Sequence, residues 1–456
     1  MIIHITNLAI ITDLTRSQTE HIKRYLTISN PKLIELTRLG LNAHKITKYL
    51  TFYKHHGDRL LVPIGALPYI TSTFSYSMSK ADIIDNRVTH TSEAYFSKLK
   101  PHKGFKLRDY QEEIVSACME KSVGVVEAMT GSGKTIAFAE LILRRRQNTL
   151  VLVHTTELAN QTRAAIAEYL NVSEDAIGFI GGGTFKVKPI TVGLLQSLAS
   201  FIKTDDGFSK IDLINEKFGQ IICDETHIIA ADSYYNVMTE LKAKYKFGFS
   251  ATPKREDGLT NVIFFATGPR IHVVDKDRLK KVLMKPDLRE IQTDYYFPLM
   301  QTSEYQDMVS DLSLDEERNN LILETLKDYK DKPICILCSR LSQVEYLQDK
   351  IKDSVILTSK MTKKNRKQVM EDLLLKKKNI VISTYGLFST GINIPHLEIV
   401  FLAGPMQSEI KIKQTAGRLM RKAKGKNSAI MVDFDDKKVD LLHRQFLKRR
   451  RILRKL

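Results

Sequence analysis

The run Ala128-Met-Thr-Gly-Ser-Gly-Lys-Thr135 follows the apolar stretch Val123 to Val126 and precedes a helical pattern. A glycine-rich turn between a strand and a helix commits the surrounding chain to a βαβ unit, and its amides at the helix N-terminus can enclose phosphate oxygens. Thr130, Gly131, Ser132 and Gly133 supply that cradle. Lys134 neutralises the β and γ phosphates of a bound nucleotide, and Thr135 offers a hydroxyl to Mg²⁺. Ala128 stands where the pattern has its first Gly. The expected ligand is ATP or GTP.

The rest of the chain fits that start. From about residue 105, short apolar runs alternate with amphipathic stretches, the pattern of repeated βαβ units on a mostly parallel sheet. One series comprises Val123 to Ala128, Thr149 to Thr155, Pro189 to Leu195, Gly219 to Glu225 and Phe247 to Thr252. A second comprises Pro333 to Ser339, Ser354 to Thr358, Asn379 to Thr384, Leu397 to Ala403 and Ser428 to Phe434. Two α/β domains therefore meet near residues 275 to 300. The first hundred residues lack this alternation and read as a small α+β accessory domain. Asn30-Pro31 is a helix start that Gly40 can end, and His55-His56-Gly57-Asp58 is a turn rather than a metal site. The expected division is 1–100, 101–280 and 281–456.

A formal charge of +18, from 70 Lys and Arg against 52 Asp and Glu, makes a polyanion the first partner to consider. No stretch approaches 18 uninterrupted apolar residues and Met1 to Thr12 lacks a basic leader, so a cytoplasmic protein without a membrane span is expected. Four cysteines do not make a disulfide scaffold. Cys335 and Cys338 lie in the apolar run from Pro333 and read as strand residues, because no second pair completes a zinc site. The end of the chain, Leu441 to Leu456, interleaves Arg444, Lys448, Arg449, Arg450, Arg451, Arg454 and Lys455 with apolar residues at helical spacing. It reads either as a solvated tail or as a helix docked with its basic face outward.

Ile221-Ile-Cys-Asp-Glu-Thr-His227 ends an apolar strand in two carboxylates, at the edge where parallel sheets bind ligands. Asp224 can hold the metal, and Glu225 can orient and deprotonate the attacking water. With this motif downstream of the phosphate loop, the chain from 105 to about 435 resembles the superfamily 2 helicases. The resemblance implies two RecA-like motor domains that hold one ATP. Leu107-Arg-Asp-Tyr-Gln111 resembles the adenine-reading element, with Gln111 satisfying a donor and an acceptor on the base, which favours ATP over GTP. His154-Thr-Thr-Glu-Leu-Ala-Asn-Gln161 and Thr191-Val-Gly-Leu-Leu-Gln-Ser197 resemble strand-contacting motifs, which implies phosphate contacts for Thr155, Gln196 and Ser197. Leu194 replaces the Thr usual there. Ser250-Ala-Thr-Pro253 resembles motif III, where Ser250 and Thr252 would bond to the loop carrying His227. Thr384 to Pro395 resembles motif V, with Thr384 toward nucleic acid and Gly391 and Asn393 near ATP. Gln414-Thr-Ala-Gly-Arg-Leu-Met-Arg421 resembles motif VI, with Gln414 in coupling and Arg418 and Arg421 on one helical face, Arg421 as arginine finger.

Two details bear on the substrate. Lys254-Arg-Glu-Asp-Gly258 resembles the Arg-Glu-Asp element of XPB-type DNA helicases, in which Arg255 would act near the duplex junction. Ser383-Thr-Tyr-Gly-Leu-Phe-Ser-Thr-Gly391 resembles the Tyr-Gly-x-Phe-Ser-Thr-Gly stretch shared with UvsW-type phage enzymes. These resemblances imply a monomeric, ATP- and Mg²⁺-dependent helicase that unwinds or branch-migrates branched or partly single-stranded DNA. An RNA helicase and a non-catalytic ATP-gated clamp are the alternatives.

Overall fold

The computed structural model describes residues 1–38, 42–78, 81–255, 257–279, 282–298, 301, 304–329 and 331–456, so Gly40 and Glu256 lie outside the described residues. The chain divides into two compact units, one of Met1–Ala128 with Gly133–Val274, the other of Asp275–Leu456 with Met129–Ser132.

The first unit begins with β1 (Ile2–Ile5), β2 (Leu8–Thr12), β3 (Thr27–Ser29), β4 (Tyr49–Thr51), β5 (Lys54–His56), β6 (Arg59–Pro63) and β7 (Asp82–Asp85). Five of these form a sheet in the order β5-β6-β2-β1-β7, and β3 pairs with β4 alone. Gly57, at φ +60°, makes with Asp58 the two-residue turn that closes the β5–β6 hairpin. Asn30 caps the helix Pro31–Arg38, its side-chain oxygen accepting from the Lys32 amide at 3.1 Å. This small sheet does not keep a core to itself. Ile3, Ile11, Ile22 and Val62 share one apolar cluster with Val123 and Phe265. Gly65 lies against the helix Thr260–Thr267 so closely that a Cβ would sit 2.1 Å from the Phe264 carbonyl oxygen.

The remainder of the first unit is an eight-stranded sheet of β8 (Val123–Glu127), β9 (Thr149–Val153), β10 (Gly178–Gly181), β11 (Thr184–Lys186), β12 (Ile190–Leu194), β13 (Gln220–Asp224), β14 (Tyr245–Ser250) and β15 (Arg270–Val273). Its order is β11-β10-β12-β9-β13-β14-β8-β15, parallel except for the β10–β11 hairpin. In β9, β12 and β13 every residue is buried, which is why their sequences are continuous apolar runs without alternation. Strands β8, β13 and β14 deliver the phosphate loop, the paired carboxylates and Ser250 to the same carboxyl edge.

The second unit carries β16 (Asp287–Gln292), β17 (Ile334–Cys338), β18 (Ser354–Leu357), β19 (Ile380–Thr384), β20 (Ile399–Leu402) and β21 (Ile430–Asp435) in the order β16-β21-β20-β17-β19-β18, all parallel. Cys335 and Cys338 are buried in β17. The fold is the α/β class expected from the sequence. Strands β11, β15 and β16, absent from the apolar runs, are sheet edges, and β10, inside the edge strand β11, is a short strand with two glycines.

Two expectations need correction. The helix Glu409–Leu419 stops before Arg421, whose backbone pairs with Leu283 while the Met284 amide donates to the Met420 carbonyl at 2.7 Å. Arg418 and Arg421 therefore do not share a helical face, because strand-like pairing takes over the chain after Leu419. The C-terminal helix Asp440–Leu453 is docked, not a solvated tail, and its charges are not all outward. Arg449 is buried and forks onto Asp433 of β21, with Nη2 to Oδ1 at 2.7 Å and Nε to Oδ2 at 2.9 Å.

Candidate active site

The phosphate loop turns through Gly131 (φ +89°) and Gly133 (φ +80°), backbone conformations that side chains rarely adopt. At Gly133 a Cβ would also meet Gln111 Nε2 at 2.6 Å. The Gln111 amide clasps this turn: Nε2 donates to the Gly133 carbonyl at 3.2 Å, and Oε1 accepts from the Arg108 amide at 3.0 Å. The residue expected to read a base thus holds the phosphate loop against the start of its own helix, Asp109–Met119. Lys134 and Thr135 open the helix Lys134–Arg145, Lys134 buried and Thr135 half-buried.

Lys134 Nζ lies 3.3 Å from Glu225 Oε1 and 3.7 Å from Asp224 Oδ1, all three side chains being buried. Burial disfavours the ammonium, but the two carboxylates outweigh it and hold the Lys134 pKa above its usual value. Burial also raises both carboxyls against the opposing pull of Lys134. The balance leaves Asp224 raised, while Glu225, nearer the ammonium and beside His227, is lowered and stays ionised. Glu225 sits at φ +53°, left-handed backbone that costs about 1–2 kcal/mol for a residue with a Cβ. That kink turns the chain out of β13 and into the short helix Thr226–Ala230. Glu225 Oε2 and Thr130 Oγ1 are buried without a hydrogen-bond partner among the described residues.

Ser250 Oγ is 3.2 Å from His227 Nδ1 and accepts from the Thr252 amide at 3.2 Å, linking motif III to the carboxylate loop. Thr252 Oγ1 itself has no hydrogen-bond partner among the described residues. Burial pushes the His227 pKa down to about 4, so the imidazole is neutral at ordinary pH. Arg255 points back at the same loop, Nη1 donating to the His227 carbonyl at 2.6 Å while Nε and Nη2 fork onto Asp257. Thr155 caps the helix Thr156–Tyr169, accepting from the Leu158 amide at 3.2 Å. Gln196 is exposed and donates to the His154 carbonyl at 3.0 Å, beside a half-buried Ser197. His154 was not picked out as a functional residue by sequence; its half-buried ring is held below the usual histidine pKa by desolvation, against the pull of the nearby Glu225.

In the second unit, Thr384 ends β19 and Gly391 ends the helix Tyr385–Gly391. Arg421 Nη1 donates to Asn393 Oδ1 at 2.5 Å, and Arg418 Nη1 donates to the Ile392 carbonyl at 2.6 Å. The motif V segment and both motif VI arginines are thereby one assembly. Gln414 is buried in the same helix as Arg418.

These residues fit a metal–nucleotide pair. No group of three or more His, Cys, Asp or Glu suited to a metal occurs among the described residues. Mg²⁺ needs none, since it commonly takes one or two protein oxygens and completes its shell with phosphate and water. Glu225 Oε2 accepts no hydrogen bond among the described residues, its nearest cationic neighbour being His227 Nδ1 at 3.4 Å, and this leaves an acceptor open for such a group.

A parallel-sheet domain with a phosphate loop, an acidic strand end and a second parallel-sheet domain bearing paired arginines defines a helicase-type motor. Residues 104–255 match the res subunit family of type III restriction enzymes, and residues 317–423 match the helicase conserved C-terminal domain. The chain is a superfamily 2 helicase, an enzyme class that uses ATP. It is 28% identical over 418 residues to an Acanthamoeba polyphaga mimivirus protein provisionally named an ATP-dependent RNA helicase, covering 88% of this chain and 77% of that one. It is 24% identical over 361 residues to the DNA 3'-5' translocase XPB2 of Sulfurisphaera tokodaii, covering 70% and 79%. With the ATP-dependent DNA helicase uvsW of Enterobacteria phage T4 it shares 26% over 372 residues, covering 75% and 72%. The solved structure of Saccharomyces cerevisiae Dbp5 bound to RNA and ADP BeF3 matches at a TM-score of 0.57 and 15% identity, covering 76% of this chain and 89% of that one, which supports the RecA-like fold. No helix among the described residues is long and apolar enough to cross a membrane.

Proposed function

We propose that this helicase hydrolyses Mg²⁺-bound ATP and uses the cycle to unwind or branch-migrate branched DNA. The observation that carries the catalytic half is the buried Lys134–Glu225–Asp224 cluster, in which Glu225 Oε2 accepts no hydrogen bond among the described residues. Thr135 and Asp224 would hold Mg²⁺, which when bound supplies charge neutralisation on the phosphates. Lys134 exchanges its carboxylate partners for phosphate oxygens, and this releases Glu225 to accept a proton from water. Gln111 can reach an adenine edge only by exchanging or sharing the backbone partners it now holds. Through Ser250 and Arg255, which grip the His227 segment, a change at the carboxylates reaches the loop after motif III. Arg418 and Arg421 serve the same turnover, a role assigned by motif order.

The substrate half rests on the relatives named for DNA, uvsW and XPB2, together with the Arg-Glu-Asp and Tyr-Gly-x-Phe-Ser-Thr-Gly resemblances. The division into 1–100, 101–280 and 281–456 assigns junction recognition to the first part, whose β5–β6 hairpin exposes Lys54, His55, His56 and Arg59. The protein acts in this reading as a cytoplasmic monomer. RNA is the second reading, favoured by the mimivirus relative's name. ATP turnover and strand separation by the full chain on fork, four-way junction, linear duplex and RNA duplex substrates separate the two. Preference for the junctions, reduced by K54Q/R59Q, is expected; stronger stimulation by RNA overturns the DNA assignment.

A further inference from the structure

The helix that opens with Lys134 buries a carboxylate, Glu140, whose two oxygens are bound by different elements. Oε1 accepts from Arg144 Nε at 2.5 Å, and Oε2 accepts from the Tyr169 hydroxyl at 2.5 Å. Arg144 turns its other nitrogens to Glu112, with Nη1 to Oε1 at 2.5 Å and Nη2 to Oε2 at 2.7 Å. Such a fork fixes the plane of the guanidinium as well as its position. The Tyr169 carbonyl accepts from the His102 amide at 2.8 Å, and its ring meets Phe105 edge-on with 5.4 Å between centroids. The stretch from His102 to Glu112 is therefore tied down at both ends, and Gln111 lies inside it, one residue before the Arg144 contact. A buried carboxylate stabilises a fold no better than an apolar side chain of like volume. What it adds here is direction.

We infer that Glu140 is a positioning residue for base selection: through Arg144 and Tyr169 it holds Gln111 in the orientation that favours adenine over guanine. The inference rests on the reading that Gln111 addresses the base of ATP. A carboxamide presents a donor and an acceptor side by side, which complements the amino group and N7 of adenine. Guanine offers two acceptors, O6 and N7, on the same edge, so an amide fixed for adenine sets its own oxygen against O6. That discrimination lasts only while the amide can neither turn over nor withdraw. Once the Gly133 and Arg108 backbone partners of Gln111 are shared with or exchanged for a base, its position is set by the helix that carries it, and that helix is gripped at Glu112.

The test is the ratio of kcat/KM for ATP to that for GTP, measured with the full chain, E140M, Q111A and E140M/Q111A. Glu140→Met keeps the length of the side chain and removes both acceptors. It should lower the ratio about three- to tenfold, the scale of one hydrogen bond, mainly through the KM for ATP. In the Q111A background the same replacement should lower it no further, because two residues acting through one contact are not additive. Should E140M fail to fold, Y169F, which removes a single hydroxyl, is expected to shift the ratio in the same direction. An I166V control takes one buried methylene from the helix Thr156–Tyr169 and should leave the ratio alone. An unchanged ratio in E140M and Y169F while Q111A lowers it, an equal fall in I166V, or a further fall in the double variant overturns the inference alone. If Q111A itself leaves the ratio unchanged, the adenine reading falls and the inference with it.

Discussion

At the scale of single residues, the cost of building this site is visible in groups that ordinary globular packing avoids. Glu225 occupies left-handed backbone, and Thr226 fits beneath it because Gly248 of β14 has no side chain; a Cβ there would lie 2.3 Å from Thr226 Oγ1. Lys246, two residues earlier on the same strand, is 1% exposed and donates to the Met238 carbonyl at 2.9 Å. Burial, with a smaller push from Arg87, lowers its pKa to about 7. The unfolded chain then holds more protons than the folded chain between about pH 7 and the ordinary lysine value near 10.4, so this group's contribution to stability rises with pH across that window. Lys246→Met should therefore melt above the unaltered protein by about 2–4 °C at pH 7, with the advantage shrinking toward pH 10. A difference independent of pH between 7 and 10 contradicts a lysine held near neutrality by burial. None of this could be read from the sequence, where Lys246 is one charge in Lys242 to Lys246 beside a strand.

At the scale of elements, the legible and illegible parts divide by physical cause. Strands β8, β9, β12, β13, β14, β17 and β19–β21 were evident because strands buried on both faces must be continuously apolar, and the edge strand β18 because Val355–Leu357 is a short apolar run. The motif residues of the first sheet followed, since a carboxyl edge collects loops from strands far apart in sequence. Edge strands β11 and β16 were not evident, being largely solvated, and β10 was not because two of its four residues are glycines. The ends of elements were missed where tertiary pairing decides them, as at Arg421, which a helical spacing placed on a helix that strand pairing had already ended. Arg449 misled for a related reason: in a run of Arg and Lys nothing marks the one whose carboxylate, Asp433, lies on a buried strand. Breaking that pair should leave a buried charge unmatched, at a cost of about 3–5 kcal/mol for Arg449→Met or Asp433→Leu alone. The double replacement by apolar residues should recover most of that loss, as measured by urea unfolding. Single variants within about 1 kcal/mol of the parent contradict the anchoring role.

For the whole molecule, residues 1–100 are not an independent appendage, because their core includes Val123 and Phe265 of the motor. Deleting them would uncover apolar surface on the first sheet domain, so surface replacements such as K54Q/R59Q are the cleaner probe of what the N-terminal sheet binds. In the proposed function, ATP hydrolysis assisted by Glu225 drives strand separation. Its most direct test follows ATP turnover and fork unwinding together in the purified chain, in Glu225→Gln and in Arg421→Ala. Glu225→Gln should still bind ATP yet lose about two to four orders of magnitude in turnover, the scale of a lost general base, with unwinding falling in step. Arg421→Ala should lose both activities as well. Near-parental turnover in Glu225→Gln, or unwinding that persists when turnover is lost, would contradict the account.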